Sequence, residues 1–337
     1  VSRPVLTVRG CGMTTAVGLT APASCAAIRG RLDGIQETRF RFGGEWLRAA
    51  AVPLEEPWRG LPRLAWLVAG PIAECLACVP DQAPEGIAVL LGVAEPDRPG
   101  RDANLDTLLL PAVQSVLGMR FHAASRLLPM GRVAGVAALQ HAAHLFAGNG
   151  PPWVIVAGVD SYLVTGTLDW LFGRDRLLTE TTLDGFIPGE AGAAVLCGRD
   201  GGGLGVLSFG FGTEPAPLGS GRPLRGDGMT AACRSALTAA GLTMAGIGYR
   251  LATLNGEQHF FREIDLATTR LLRGRHDAID LLHPAGSVGE VGAAALPLAL
   301  GLAAAAARDG WAPGDPVLIA ASNDDGRCAV LLASASA

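Results

Sequence analysis

Few side chains in this sequence are equipped for covalent chemistry, and their spacing narrows the choice further. All 27 Lys+Arg residues are arginine. That removes a Schiff-base amine, a phosphate-loop lysine and a lysine general base. The 7 cysteines are scattered along the chain, an odd number that suits a reducing compartment better than a disulfide framework and leads us to expect a cytoplasmic protein. Cys75-x-x-Cys78 is the one close pair, and without a second pair it reads as helix packing rather than a redox or zinc motif. His141 and His144 stand three apart on a helix, a metal-ligand spacing with no evident third ligand, so packing or surface roles are the better reading. No metal and no cofactor are expected.

These residues need a frame, and periodicity supplies one. Apolar strands are expected at 5–10, 86–92, 154–157 and 191–197. They alternate with helices at 23–29, 62–79 (kinked or interrupted at Pro71) and 133–147. The glycine-rich run 198–205 lacks the lysine and spacing of a phosphate cradle and reads as a connector. The alternation then restarts, with strands at 204–209, 250–254, 278–282, 316–321 and 328–333 and helices at 227–240, 261–273 and 289–307. Asp227 of Arg225-Gly226-Asp227 is the expected N-cap of its helix. Two similar rounds imply a duplicated α/β body with buried sheets, divided as 1–200 and 201–337. The longest apolar stretch, 291–307, contains Pro297 and falls short of the ~20 residues of a membrane span. A net charge of −4 offers no broad field for nucleic acid.

Several segments resemble signature pieces of β-ketoacyl synthases. The run from Asp184-Gly185-Phe186-Ile187-Pro188-Gly189-Glu190 to Leu196 is the strongest. His283-Pro284-Ala285-Gly286-Ser287-Val288-Gly289 and its continuation to Ala299 resemble a strand-to-helix turn that carries one catalytic histidine. The N-terminal run Val5 to Gly18, the segment Ile28 to Ile35 and the helix after Asp227-Gly228-Met229 fit the same order. The resemblance spans the chain. It implies the thiolase-like fold, two pseudo-duplicated halves in five layers α-β-α-β-α, usually dimeric.

The departures fall on the chemistry. In the family a nucleophilic cysteine starts a buried helix, where the helix dipole favours the thiolate. That position reads Arg132, within Gly131-Arg132-Val133-Ala134-Gly135. A guanidinium is not a nucleophile, and at a helix N-terminus it has the wrong sign; it needs a buried carboxylate, a bound anion or solvent. Asn255 stands for the first family histidine and cannot shuttle a proton. The resemblance assigns the second histidine to His283, although a hydrogen-bonded loop residue is the plainer reading. The family's lysine corresponds to Ala278. Its glycine-rich C-terminal loop is replaced by Ser322-Asn323-Asp324-Asp325-Gly326-Arg327, which offers Asp324 and Asp325 as partners for Arg132.

Three functions follow. The first is a non-catalytic binding or assembly factor: a homodimer, or a heterodimer with a ketosynthase-like subunit, in fatty-acid or polyketide metabolism or as a secretion accessory. The second is a modified acyltransferase or thioester decarboxylase using Asn255 and His283 as oxyanion donors, with an acyl-carrier protein recognised by arginines such as Arg270, Arg273 and Arg275. The third is a small-molecule or anion sensor built on Arg132.

Overall fold

The computed structural model describes residues 3–199, 201–272 and 278–336. The first round of elements is β1 (Leu6–Thr14), α1 (Ala21–Arg29), β2 (Gln36–Phe42), β3 (Glu45–Ala49), α2 (Gly60–Ala77), β4 (Ile87–Val93), α3 (Leu105–Leu117), β5 (Arg126–Pro129), α4 (Ala134–Ala147), β6 (Trp153–Ser161), α5 (Thr165–Phe172) and β7 (Glu190–Gly198). The second is β8 (Leu204–Thr213), α6 (Asp227–Ala240), β9 (Tyr249–Ala252), α7 (Gln258–Leu271), β10 (Leu281–Leu282), α8 (Ala285–Val288), α9 (Ala295–Arg308), β11 (Val317–Ser322) and β12 (Arg327–Ser334).

The duplication is explicit in the strand order. From its outer edge the first set runs β5-β4-β6-β7-β1 and the second β10-β9-β11-β12-β8. Numbered within each set, both read third, second, fourth, fifth, first. The directions agree as well: the three outer strands are parallel, and the fourth, fifth and first alternate. The sets join where Leu6–Val8 of β1 pairs with Val206, Gly205 and Leu204 of β8.

Alternation along the strands creates five layers. In β4, Ala88 and Leu90 enter one core, while Ile87, Val89, Leu91 and Val93 enter another. In β11, Val317 and Ile319 enter that first core, while Leu318 and Ala320 enter a third. The shared core holds α4 and α9, the second holds α2 and α3, and the third holds α6 and α7. Strands buried on both faces need apolar residues at nearly every position, which is why Ile87–Val93 reads as a continuous apolar run and β11 as one up to its last residue, Ser322.

Several local expectations shift. Helix α2 runs unbroken through Pro71. Gly226, with φ 65°, caps α6, and Asp227 is the first helical residue. The third strand of the second set is only Leu281–Leu282, and part of the 261–273 helix lies outside the described residues. The hairpin β2–β3, α3, β5 and α5 have no counterpart in the periodicity.

Gly12 of β1 is covered by the backbone of Pro71, and a β-carbon there would overlap the Pro71 carbonyl. Gly12→Ala must therefore separate β1 from α2. A loss of about 1–3 kcal/mol is expected from overpacking, measured as a lower urea midpoint with unchanged slope.

Candidate functional site

A web of buried charge occupies the centre of the molecule, where the N-terminal end of α4 meets turns of the second set. Arg132 lies in a 3-10 turn, Gly131–Val133, just before α4, with 3% of its surface exposed. Its Nη1 donates to Glu290 Oε2 at 2.8 Å and its Nη2 to Asp324 Oδ1. The guanidinium lies over the Phe260 ring, 4.5 Å from its centroid. These partners hold the Arg132 guanidinium firmly charged, Glu290 contributing most among them against the cost of burial.

Asp324 sits in the β11–β12 hairpin and serves two arginines. Its Oδ2 also accepts from Arg176 Nη1 at 2.5 Å. Arg176 donates through Nε and Nη2 to the two carboxylate oxygens of Glu257, both at 2.7 Å. Arg132 and Arg176 together hold the Asp324 carboxyl far below the usual carboxylate range, against the opposing effect of its burial. Glu257 in turn takes up Asn255: Asn255 Nδ2 donates to Glu257 Oε2 at 2.7 Å, and its Oδ1 accepts from the Glu257 N–H at 3.0 Å. Asn323 completes the hairpin's hold on α4, accepting from the Val133 N–H at 3.3 Å and donating to the Met130 carbonyl at 2.8 Å.

A second group abuts the first. Arg98 Nη1 grips both oxygens of Asp160 at 2.7 and 2.8 Å, and Arg98 also pairs with Glu95. Two glycines give these acids room. Gly131 (φ 59°) would meet Glu95 with a β-carbon, and Gly292 (φ 50°) would meet Asp160. Both φ values lie where glycine is favoured. Glu290 accepts from the Gly292 N–H at 2.7 Å, and Asp160 from the Ala293 N–H at 3.1 Å.

The two groups bring three guanidinium groups together with five carboxylates. The acids divide accordingly. Burial pushes the Asp160 and Glu290 carboxyls up despite their arginines. The Glu95 carboxyl is held down, the pull of Arg98 and its other partners exceeding the effect of burial.

The sequence-derived site residues fare differently. The structure brings Arg132, Asn255 and Asp324 into one web. Asp325 turns away, its Oδ2 accepting from Arg327 Nε at 2.6 Å, because the hairpin sends adjacent side chains in different directions. His283 is exposed and packs edge-on against Phe261 at 5.5 Å. The residue of its segment that faces Arg132 is Glu290, seven positions on. Ala278 is exposed. Glu190 is buried under Arg63, Ser161 and the Val52 N–H. Arg270 is paired with Asp227 at 2.6 Å, while Arg273 and Arg275 lie outside the described residues.

No cysteine is activated in their place. Burial raises the thiols, Cys11 to about 11 and Cys25 and Cys233 to about 12. Among the described residues no cluster of His, Cys, Asp and Glu could hold a metal ion, and no helix is long and apolar enough to cross a membrane. Above the web lies an open cleft of about 800 Å³ that Arg132 does not reach. Seven carboxylates line it, Asp97, Asp175, Asp184 and Asp325 among them, against Arg98, Arg174 and Arg176.

Among the described residues both Glu214 and Glu263 are buried without a cation, and Glu214 is satisfied by the Ala216 and Gly228 N–H groups. Glu263 is 1% exposed; its Oε1 accepts the Cys328 thiol at 3.3 Å, and its Oε2 has no partner. Burial raises its carboxyl. A raised acid binds its proton more tightly in the folded state, so its contribution is complete below the unfolded-state pKa and fades as pH rises through the folded one. Glu263→Gln should therefore gain stability relative to wild type between about pH 4 and pH 7, read from urea unfolding at the two ends.

Glu290→Gln removes a fully buried partner of Arg132 and leaves the guanidinium short of charge. A loss of about 3–5 kcal/mol is expected, against less than about 1 kcal/mol for Asp325→Asn on the surface. Chemical denaturation of the two variants side by side checks the contrast.

No family model and no curated protein matches the sequence. Solved structures do match, end to end. The ishigamide ketosynthase/chain length factor shares 17% identity over 98% of this chain and 99% of that one, with a TM-score of 0.71. A ketosynthase in complex with its chain length factor from Xenorhabdus doucetiae gives 15%, 98% of both chains and 0.76. A type II polyketide synthase acyl-carrier protein in complex with its ketosynthase gives 14%, 99% and 100%, and 0.80. At these identities the likeness is one of fold: the chain has the thiolase-like fold of ketosynthases and chain length factors.

Proposed function

We propose that this ketosynthase-fold protein is a non-catalytic binding or assembly factor, working as a dimer and, in the reading we favour, as the partner of a ketosynthase-like subunit. The observation that carries this is the state of Arg132. Where the fold family needs a nucleophile, the chain has a guanidinium whose two terminal nitrogens are bound by carboxylates. Among the described residues no thiol, imidazole or lysine takes part in that pairing.

The alternatives are weaker on specific grounds. A decarboxylase needs two donors aimed at a thioester oxygen. Asn255 has both ends of its amide engaged by Glu257, and His283 is at the surface. An anion sensor needs Arg132 to be available, and it lines none of the larger cavities. The acidic cleft also disfavours the phosphates of a coenzyme or carrier arm. For the partner, the support is that two of the similar solved structures are named as ketosynthase with chain length factor.

Two measurements test the reading. Incubation with radiolabelled malonyl and acyl thioesters, on coenzyme A and on carrier protein, should give neither turnover nor covalent label. Label that disappears in Asn255→Ala would overturn it. Co-expression with a ketosynthase-like subunit should give a two-chain complex by light scattering; two independently migrating species would remove the partner.

A further inference from the structure

The open cleft above the web carries an excess of negative charge that the chain's own arginines do not remove. Seven carboxylates and three arginines line it. The charged groups behind its walls add two acids, Asp160 and Glu290, and two arginines, Arg132 and Arg327, so the excess stays at four. Two of the lining arginines are already engaged, Arg98 by Glu95 and Asp160, and Arg176 by Glu257 and Asp324. The third, Arg174, is turned back onto α5, its guanidinium 4.4 Å from the Trp170 ring centroid and its Nη1 on the Trp170 carbonyl at 3.4 Å. Against it stand Asp97, Asp175 and Asp184, which are exposed and have no cation among the described residues. The Asp184 side chain accepts only the Gln258 N–H, at 2.8 Å.

A second feature points into the same cleft. Tyr162 lines it and is only 7% exposed. Its ring is held by Arg98, 4.4 Å from the centroid, and edge-on by Phe186 at 5.6 Å. Its hydroxyl makes no hydrogen bond among the described residues and is not sealed in, so a partner for it has to come from the cleft. Buried phenols ordinarily have one. Burial keeps this phenol protonated, and its oxygen still accepts from an ammonium N–H. Trp170, Leu171 and Leu218 supply apolar wall, and the volume of about 800 Å³ is that of a small-molecule site. Among the described residues no group of acids is gathered to hold a metal ion. Separate unpaired carboxylates, an apolar wall and an open phenol match an organic cation with several charges along a methylene chain.

We propose that the cleft is a binding site for a free aliphatic polyamine, one ammonium group reaching the Tyr162 hydroxyl, the others held by Asp97, Asp175 and Asp184, and the methylenes lying along Trp170, Leu171 and Leu218. The ligand is bound intact, with no bond made or broken. The site stands whether or not the chain pairs with a ketosynthase-like subunit.

The test uses the full chain at about 0.15 M salt, where diffuse surface attraction is screened. Spermidine should bind with saturation in calorimetry and change the tryptophan fluorescence, and Trp170→Phe identifies the signal. Butylamine, with one charge, should bind at least ~10-fold more weakly. Asp97→Asn with Asp175→Asn should weaken spermidine by a similar factor, and Tyr162→Phe, which removes only the hydroxyl, by about 5-fold. Asp81→Asn with Glu85→Gln alters exposed acids that precede β4, at the other end of that strand from Asp97, and should leave binding unchanged. Absence of saturable binding would overturn the proposal. So would binding unchanged in either the Asp97–Asp175 variant or Tyr162→Phe. Equal weakening in the Asp81–Glu85 variant, or magnesium ion competing on equal terms, would overturn it by leaving only diffuse charge. Trilysine, matched to spermidine in net charge, should bind more weakly; tighter binding would overturn the small amine in favour of a basic protein segment.

Discussion

Arg132 places a positive charge at the head of a helix, where unpaired N–H groups already make the field positive. Nothing local offsets it, since α4 begins without a side-chain cap of its own. The offset comes from far along the chain. Asn323 accepts the Val133 N–H, and Glu290 and Asp324 take the guanidinium from two directions. Once these groups are committed, the remainder of the site follows. Asp324 with one arginine would keep an unused oxygen, which Arg176 fills; Arg176 then needs Glu257, and Glu257 draws in Asn255. The buried members, Arg132, Arg176, Glu257 and Glu290, each have a charged neighbour, as expected where an unpaired buried charge costs several kcal/mol, while Asp324 is partly open to the cleft.

The same web joins the two rounds of the fold. Arg132 and Arg176 belong to the first, and Glu290, Asp324 and Glu257 to the second, so all four of their ion pairs cross between rounds. The direct sheet contact between the rounds is only three residues long. The shared core around α4 and α9 supplies the non-directional part of the adhesion, and the ion pairs supply orientation. A site that must open for a substrate is poorly served by such a clamp. A body that must keep its shape for a partner is well served by it.

Part of the web is legible in the amino-acid sequence. Arg132 stands out because an arginine does not belong at that helix start, and the acids of the 322–327 segment are near enough in the implied fold to suggest a pairing. Glu290, Arg176 and Glu257 are not legible in the same way. Their pairs join positions 158 and 81 residues apart, and no spacing rule reports such distances. Glu290 does leave a trace: a single acid inside an apolar run, Gly289-Glu290-Val291, has to find a cation. His283 draws attention by residue type, but type alone says nothing of direction, and the chain turns through α8 before it reaches Arg132. The elements that periodicity misses are those with a weak apolar pattern, such as β2, whose residues are largely exposed and charged.

The charge around Arg132 decides which residue types its position can accept. By its place at a helix start alone, position 132 would suit a cysteine thiolate. The surroundings argue otherwise. Removing the guanidinium would leave Glu290 and Asp324 facing each other in a region where carboxylates already outnumber arginines, and burial already pushes Glu290 up with its arginine present. A thiol placed between those acids would be held protonated, the reverse of what a nucleophile requires. An anionic thioester approaching through the cleft would meet the same field. The acids around Arg132 thus disfavour a thiolate at that position, and they are matched instead to the arginines they pair with.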